Sequence, residues 1–157
     1  MKEKIEFRAI PDVDDDEMAS IDANYDGRFV YGSLMDGPIP CIVGEVVESS
    51  ENGVIPAWWV PVKRDTIGQY VGRKDVNGKR IYVGSIVEKR HLDDETGLPF
   101  GECLNGIVVY EPKGARYLLD LIGQEKNIGI YYKYSQYTVI GNVYENPELL
   151  EAPHGNQ

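Results

Sequence analysis

The sequence predicts a mainly β protein, with α+β as the neighbouring class, and three observations predict it. Apolar and polar residues alternate over short stretches such as 5–10, the period of a half-buried strand. An Asn77-Gly78 pair stands between two apolar runs, which is a strong local hairpin signal. Eleven Tyr and 17 Gly in 157 residues favour half-buried strands and the turns between them. Short strands at this spacing predict an SH3-like small β-barrel over residues 63–151. An antiparallel β meander over residues 1–62 precedes it, a short C-terminal helical turn ends it, and 152–157 are expected to be a disordered tail. Residues 4–10 are expected to pair with the C-terminal lobe.

The elements follow in order. Residues 5–10 form a strand that Pro11 stops. Residues 12–17 are an acidic run, read as a mobile loop that leads into a short helix around Glu17-Met18-Ala19, because acids favour helix starts. A calcium loop counted from Asp12 fails, because Glu17 and Ala23 stand where that loop needs Gly and Glu. Strands are predicted at 28–34, 41–48 and 54–62, with a loop at 36–40, a turn at 49–53, and Pro56 and Pro61 marking an edge or bulge. Neighbours on a strand point to opposite faces, so one of Trp58 and Trp59 enters the core and the other reaches the surface, where it can contact a partner.

In the second half, 66–71 and 79–83 flank a tight primed turn at Asp75-Val76-Asn77-Gly78. Gly84-Ser85 turns the chain into a strand from Ile86. Residues 91–105, rich in acids, Gly and Pro, are expected to be a long loop. Strands follow at 106–111, 117–121 and 131–140, continuing through 141–144. Asn146 as cap, Pro147 at the first helical position and Glu148 predict one helical turn.

The formal net charge is −10 and is unevenly spread. Residues 1–62 carry 4 Lys/Arg against 13 Asp/Glu, whereas residues 63–90 carry 8 against 3. An acidic N-terminal part and a basic centre can pair between copies, so a homo-oligomer is expected. Cys41 and Cys103 are the two cysteines, read as buried free thiols in a reducing cytoplasm. Neither a signal-peptide core nor an apolar run near the roughly 20 residues of a membrane span is present, which predicts a cytoplasmic location and no membrane partner.

Three blocks resemble one family: Lys4-Ile5-Glu6-Phe7-Arg8-Ala9, the run from Thr66 to Tyr82, and the run from Val139 to Leu150. On these the chain resembles the YopX family of phage and prophage proteins. The resemblance implies a phage origin, a bacterial host cell and a largely β fold, and it brings no catalytic residues. Where family members usually carry Glu-Gly-Asp, this chain has Val83-Gly84-Ser85, so no acidic role attaches to position 85. Gly68, Gly72, Gly78, Gly84 and Gly141 read as turn or bulge positions, and Tyr70, Tyr82 and Tyr144 as partly buried aromatics with hydroxyls at the rim.

Catalytic, cofactor and metal residues are all expected to be none. Cys41, His91 and Cys103 are too scattered for a zinc site, and nothing local joins His91 to Cys103 or Ser85 as base and nucleophile; His154 lies in the tail. The Gly123-Gln124-Glu125-Lys126 stretch lacks the phosphate-loop pattern. The expected function is therefore a non-enzymatic, self-associating interaction module that contacts a phage or host protein, with Trp58 and Trp59 as partner contacts. A second reading is nucleic-acid binding through the hairpin Arg73, Lys74, Lys79 and Arg80, with Tyr70 or Tyr82 stacking on bases, although the overall acidity opposes it. A third is an acidic nucleic-acid mimic that inhibits a host protein, using 12–17 and Asp93-Asp94-Glu95.

Overall fold

A computed structural model describes residues 4–130 and 133–151. It is β-rich with antiparallel ladders, and it divides into two units, Met1–Tyr70 and Val71–Gln157. The expected tail at 152–157, His154 within it, and the first two residues of the strand predicted from Tyr131 lie outside the described residues.

In the first unit the strands are β1 (Phe7–Ala9), β2 (Val30–Met35), β3 (Cys41–Val43), β4 (Val46–Ser50), β5 (Gly53–Pro56), β6 (Trp59–Pro61) and the opening of β7 (Gly68–Lys74). They pair in the order β6-β3-β2-β1-β7, with Phe7 opposite both Gly32 and Gln69. The core is Ala9, Met18, Val30, Ile42, Val60 and Val62. The acidic run is structured: α1 (Asp15–Ser20) starts at Asp14, whose carboxylate accepts the Glu17 amide at 2.8 Å. Asp15, Asp16 and Glu17 fill the first turn, where the helix dipole favours negative charge, and Met18 is the residue that anchors the helix. Thr66 falls in a 3-10 turn (Arg64–Thr66), not in a strand. Its hydroxyl accepts the Ile10 amide at 2.9 Å and donates to the Lys63 carbonyl, so it ties two loops together.

The strand predicted at 41–48 is broken at Gly44 and Glu45. The cause is Trp58: a Cβ on Gly44 would sit 2.5 Å from its indole nitrogen, so only a glycine lets the ring lie across the chain. Beyond that break the hairpin continues as β4 and β5, which pair only with each other. The turn predicted at 49–53 shrinks to Glu51-Asn52.

Asp26 and Tyr31 lock the entry to β2. The Tyr31 hydroxyl donates to Asp26 Oδ2 at 2.6 Å, and the Arg28 and Phe29 amides donate to Oδ1 at 2.9 and 2.7 Å. Burial pushes the Asp26 carboxyl up, but Tyr31, the two amides and nearby Arg8 outweigh it and hold it below its ordinary value. Burial first, then the hydrogen bond and charge of Asp26, push Tyr31 from 10.0 to about 12. The depressed carboxyl supports the fold at neutral pH and loses that support as pH falls through its folded pKa. The raised phenol supports the fold below 10, and that support is lost as pH rises through about 12. Thermal unfolding followed by tryptophan fluorescence is expected to show both limbs, because both tryptophans lie in this unit. Tyr31→Phe is expected to flatten the alkaline limb; an equally steep limb in the variant contradicts this account.

The second unit holds the remainder of β7, then β8 (Arg80–Tyr82), β9 (Ser85–Leu92), β10 (Pro99–Glu111), β11 (Arg116–Leu121), β12 (Asn127–Gly129) and β13 (Ser135–Asn142). Five of them form an open sheet in the order β12-β11-β10-β9-β13. Ile81, Val87, Val108, Leu119, Leu121 and Tyr137 form its core. The strands do not close into the expected SH3-like barrel, because β8 pairs with β7 and joins no ladder of this sheet. The expected loop at 91–105 is instead the far end of a long β9–β10 hairpin. Its turn is set by Asp93, whose carboxylate accepts the Glu95 and Thr96 amides and the Thr96 hydroxyl.

The hairpin after β7 exists, but its turn differs from a primed one. Gly78 donates to the Asp75 carbonyl at 3.1 Å and has φ +81°, while Asn77 stays out of the left-handed region. This is a three-residue loop with a glycine bulge, not a two-residue turn. Asp75 selects it: its Oδ1 accepts the Asn77 and Lys79 amides, each at 2.9 Å. The tip docks onto β13, where Val76 donates to the Tyr137 carbonyl and Asp75 Oδ2 accepts the Val139 amide at 2.9 Å. β13 starts at Ser135, after Tyr134 at φ +61°, rather than at 131. The closing 3-10 turn (Pro147–Leu150) has Pro at its start as predicted, but Asn146 does not cap it; its side-chain oxygen accepts the Asn142 amide instead.

Candidate functional site: a tryptophan groove and an uncovered hairpin

An apolar groove in the first unit is built by β6, α1 and the chain that leaves α1. Alternation along β6 sends Trp58 and Trp59 to opposite sides. Trp58 packs against the core and across Gly44, whereas Trp59 is 57% exposed. Val13, Ile21, Ala57, Trp58, Trp59 and Pro61 line a groove of about 500 Å³, with Glu17, Ser20 and Asp22 also on its wall. α1 supplies Glu17 because its first turn is acidic, and the chain leaving α1 supplies Asp22. The groove therefore joins an indole face to two exposed carboxylates, an arrangement suited to a cationic side chain with an aliphatic stem.

The β4–β5 hairpin continues from the β3–β6 ladder, and Val47 lines a separate cavity with Gly44, Glu45, Ala57 and Trp58. Gly44 donates to the Trp58 carbonyl and Ala57 to the Glu45 carbonyl, joining it to the β3–β6 ladder. Past that point Val46, Val47, Val54 and Ile55 are all more than half exposed, up to 66% at Val47. Among the described residues no third strand joins this ribbon, and a two-stranded ribbon is marginal in water on its own.

The other residues singled out from sequence are placed as follows. Arg73, Lys74 and Lys79 are exposed around the tip of the β7–β8 hairpin, and Arg80 is half-buried. Tyr70 and Tyr82 are buried, not at the rim, and they present no ring face to a base. Cys41 is buried but Cys103 is exposed, contrary to the expected pair of buried thiols, and both are free. Cys103 sits at the bulge of β10 with its sulfur 2.8 Å from Arg90 Nε. His91 packs against Phe100, with ring centres 6.1 Å apart. Ser85 is fully buried and accepts the Tyr82 amide. Among the described residues no three His, Cys, Asp or Glu side chains stand together as a metal-ligand set, and no helix is long and apolar enough to cross a membrane.

Sequence reasoning missed Asp75, the exposed hairpin and Lys89. Lys89 stands on the core face of β9, between Leu104 and Tyr137, and burial pulls its ammonium below the usual lysine value. Its signal was a basic residue in phase with Val87, which alternation alone places on the core side.

The fold defines a mainly β protein of antiparallel sheets. The YopX protein family is matched over residues 23–151, and the chain belongs to that family. No curated protein matches it. Among solved structures it is similar to protein EF1440 from Enterococcus faecalis, at 22% identity over 96% of this chain and 100% of that chain, with a TM-score of 0.45.

Proposed function

We propose that the protein is a non-enzymatic interaction module that associates with a second copy of itself through the Trp59 groove and the β4–β5 hairpin. The observation that carries this reading is the groove: an exposed indole whose walls also hold the carboxylates of Glu17 and Asp22. Charge complementarity names the occupant. Residues 29–62 contain no Lys or Arg, while the β7–β8 hairpin carries exposed Lys74 and Lys79 at its tip. A lysine from one copy meets carboxylates and an indole face in the other. The family resemblance supports a phage or prophage origin and a bacterial cytoplasmic setting, and a phage or host protein with a comparable basic loop would use the same groove.

Two other readings have less support. Nucleic-acid binding loses its stacking platform with Tyr70 and Tyr82 buried. Acidic mimicry needs carboxylates arrayed outward, whereas Asp14 caps α1 and Asp93 is turned onto its own loop.

Sedimentation velocity across salt concentrations tests the proposal. Association is expected at low salt and is expected to weaken as salt rises, because the rim pairs are exposed. Trp59→Ala is expected to weaken it by about tenfold or more with the thermal midpoint little changed, since an exposed anchor adds contact but little stability. A monomer at low salt, or association that Trp59→Ala leaves intact, overturns the proposal.

A further inference from the structure

A second cavity, of about 330 Å³, lies wholly in the second unit and is lined by Val71, Arg73, Arg116, Tyr117 and Ile130. Its composition is unusual for a chain of net charge −10: both charged residues in its lining are arginines. We infer that this cleft binds a phosphate monoester carrying an aromatic or apolar body, with a mononucleotide as the representative ligand.

Four features support this. First, two guanidinium groups lining one cleft suit a dianionic group with three terminal oxygens better than a carboxylate, which one guanidinium satisfies. Second, Arg116 is held in place. Its Nε–H donates to Glu111 Oε2 at 2.8 Å across the β10–β11 turn, which fixes the plane of the fork. Third, that turn is built at a cost. Ala115 takes φ +49°, a region disfavoured for a residue with a Cβ by roughly 1–2 kcal/mol. A Cβ on Gly114 would sit 2.6 Å from Glu111 Oε2 and 2.9 Å from Arg116 Nε, so any other residue there shifts the two side-chain ends. Strain of this kind gathers where a side chain is being aimed. Fourth, Val71 and Ile130 give the cleft apolar walls, and Tyr117 adds a ring that packs at a tilt of 58° against Tyr110, 5.5 Å between centres. Burial, then Tyr110, push the Tyr117 phenol up from its ordinary value. The volume is at the small end of small-molecule sites, which suits one nucleotide unit and not a chain of them.

The two sites are separable by substitution, since Arg73 lines the cleft and Lys74 and Lys79 do not. Calorimetric titration at low salt tests it, using adenosine 5′-monophosphate, adenosine and a single-stranded oligonucleotide without a terminal phosphate. The monophosphate is expected to bind one site per chain, and adenosine at least about tenfold more weakly, because the charge-assisted hydrogen bonds are lost. Arg73→Gln and Arg116→Gln are each expected to weaken the monophosphate by about tenfold or more with an unchanged circular dichroism spectrum. Gly114→Ala is expected to weaken it with both charges retained, because the guanidinium is displaced. Lys74→Gln with Lys79→Gln, titrated at about 0.15 M salt where the Debye length is about 8 Å, is expected to bind the monophosphate within about threefold of the parent, since it leaves the cleft lining intact. Equal binding of adenosine and its monophosphate, no binding of the monophosphate, binding of the oligonucleotide alone, or binding that survives both arginine substitutions overturns the inference.

Discussion

Gly32→Ala is expected to destabilise the first unit by about 3–5 kcal/mol, more than any surface change in the molecule. Gly32 sits in β2, between β1 and β3, opposite Phe7. A Cβ there would overlap the Val43 carbonyl oxygen and come within 3.1 Å of Ile42 Cγ2. A side chain in the way can rotate aside, but this oxygen belongs to the backbone of β3, whose ladders to β2 and β6 hold it. Relief therefore requires β2 and β3 to separate, which opens the core at Val30 and Ile42. At roughly 2–4 °C per kcal/mol for a chain of this size, the midpoint is expected to fall by about 6–20 °C. Tryptophan fluorescence reads this unit directly. A midpoint within about 2 °C of the parent would show that the β2–β3 contact is not held as described.

The second large effect is at Asp75. Its carboxylate, 7% exposed, accepts the Asn77, Lys79 and Val139 amides. Asp75→Ala leaves three backbone donors without this acceptor, two in the turn and one on β13. Hydrogen bonds to a charged group contribute about 1.5–3 kcal/mol each and do not add fully, so a loss of about 3–4 kcal/mol is expected. Asp75→Asn is not a conservative rescue. Its oxygen can keep the two turn amides, but its NH₂ then faces the Val139 N–H, donor against donor. Hydrogen exchange separates the two cases: Val139 is expected to lose protection in both variants, whereas Asn77 and Lys79 lose it only in the alanine variant. Retained protection at Val139 in either variant contradicts the assignment.

The local elements were legible because their signals are local. Alternation marked β1, acidic residues marked the start of α1, and the Trp58-Trp59 pair divided between the two faces as the strand period requires. Features that depend on distant partners were not legible. The long β9–β10 hairpin reads as a loop because Asp93, Asp94, Gly97 and Pro99 are turn formers, and its outer strands carry little apolar periodicity where no core lies beneath them. The break at Gly44 exists only because Trp58 crosses it from the neighbouring strand. Asn77-Gly78 signals a hairpin in any context, but the choice of a bulged loop belongs to Asp75, whose third bond is made 64 residues away. The barrel failed for the same reason: strand count is visible in a sequence, but which strand pairs with which is not. The groove was half visible, since an exposed Trp was expected, while its acidic wall required α1 to sit beside β6.

The central claim is that an acidic tryptophan groove on one copy receives a basic hairpin tip from another. Charge exchange tests it most directly. One variant carries Lys74→Glu and Lys79→Glu, and a second carries Glu17→Lys and Asp22→Lys. Each alone is expected to sediment as a monomer at low salt, since like charges then meet in every pairing. Mixed in equal amounts, they are expected to associate again, because each tip now finds a groove of opposite sign. Two variants that stay monomeric when mixed, while the parent chain associates, would contradict the claim.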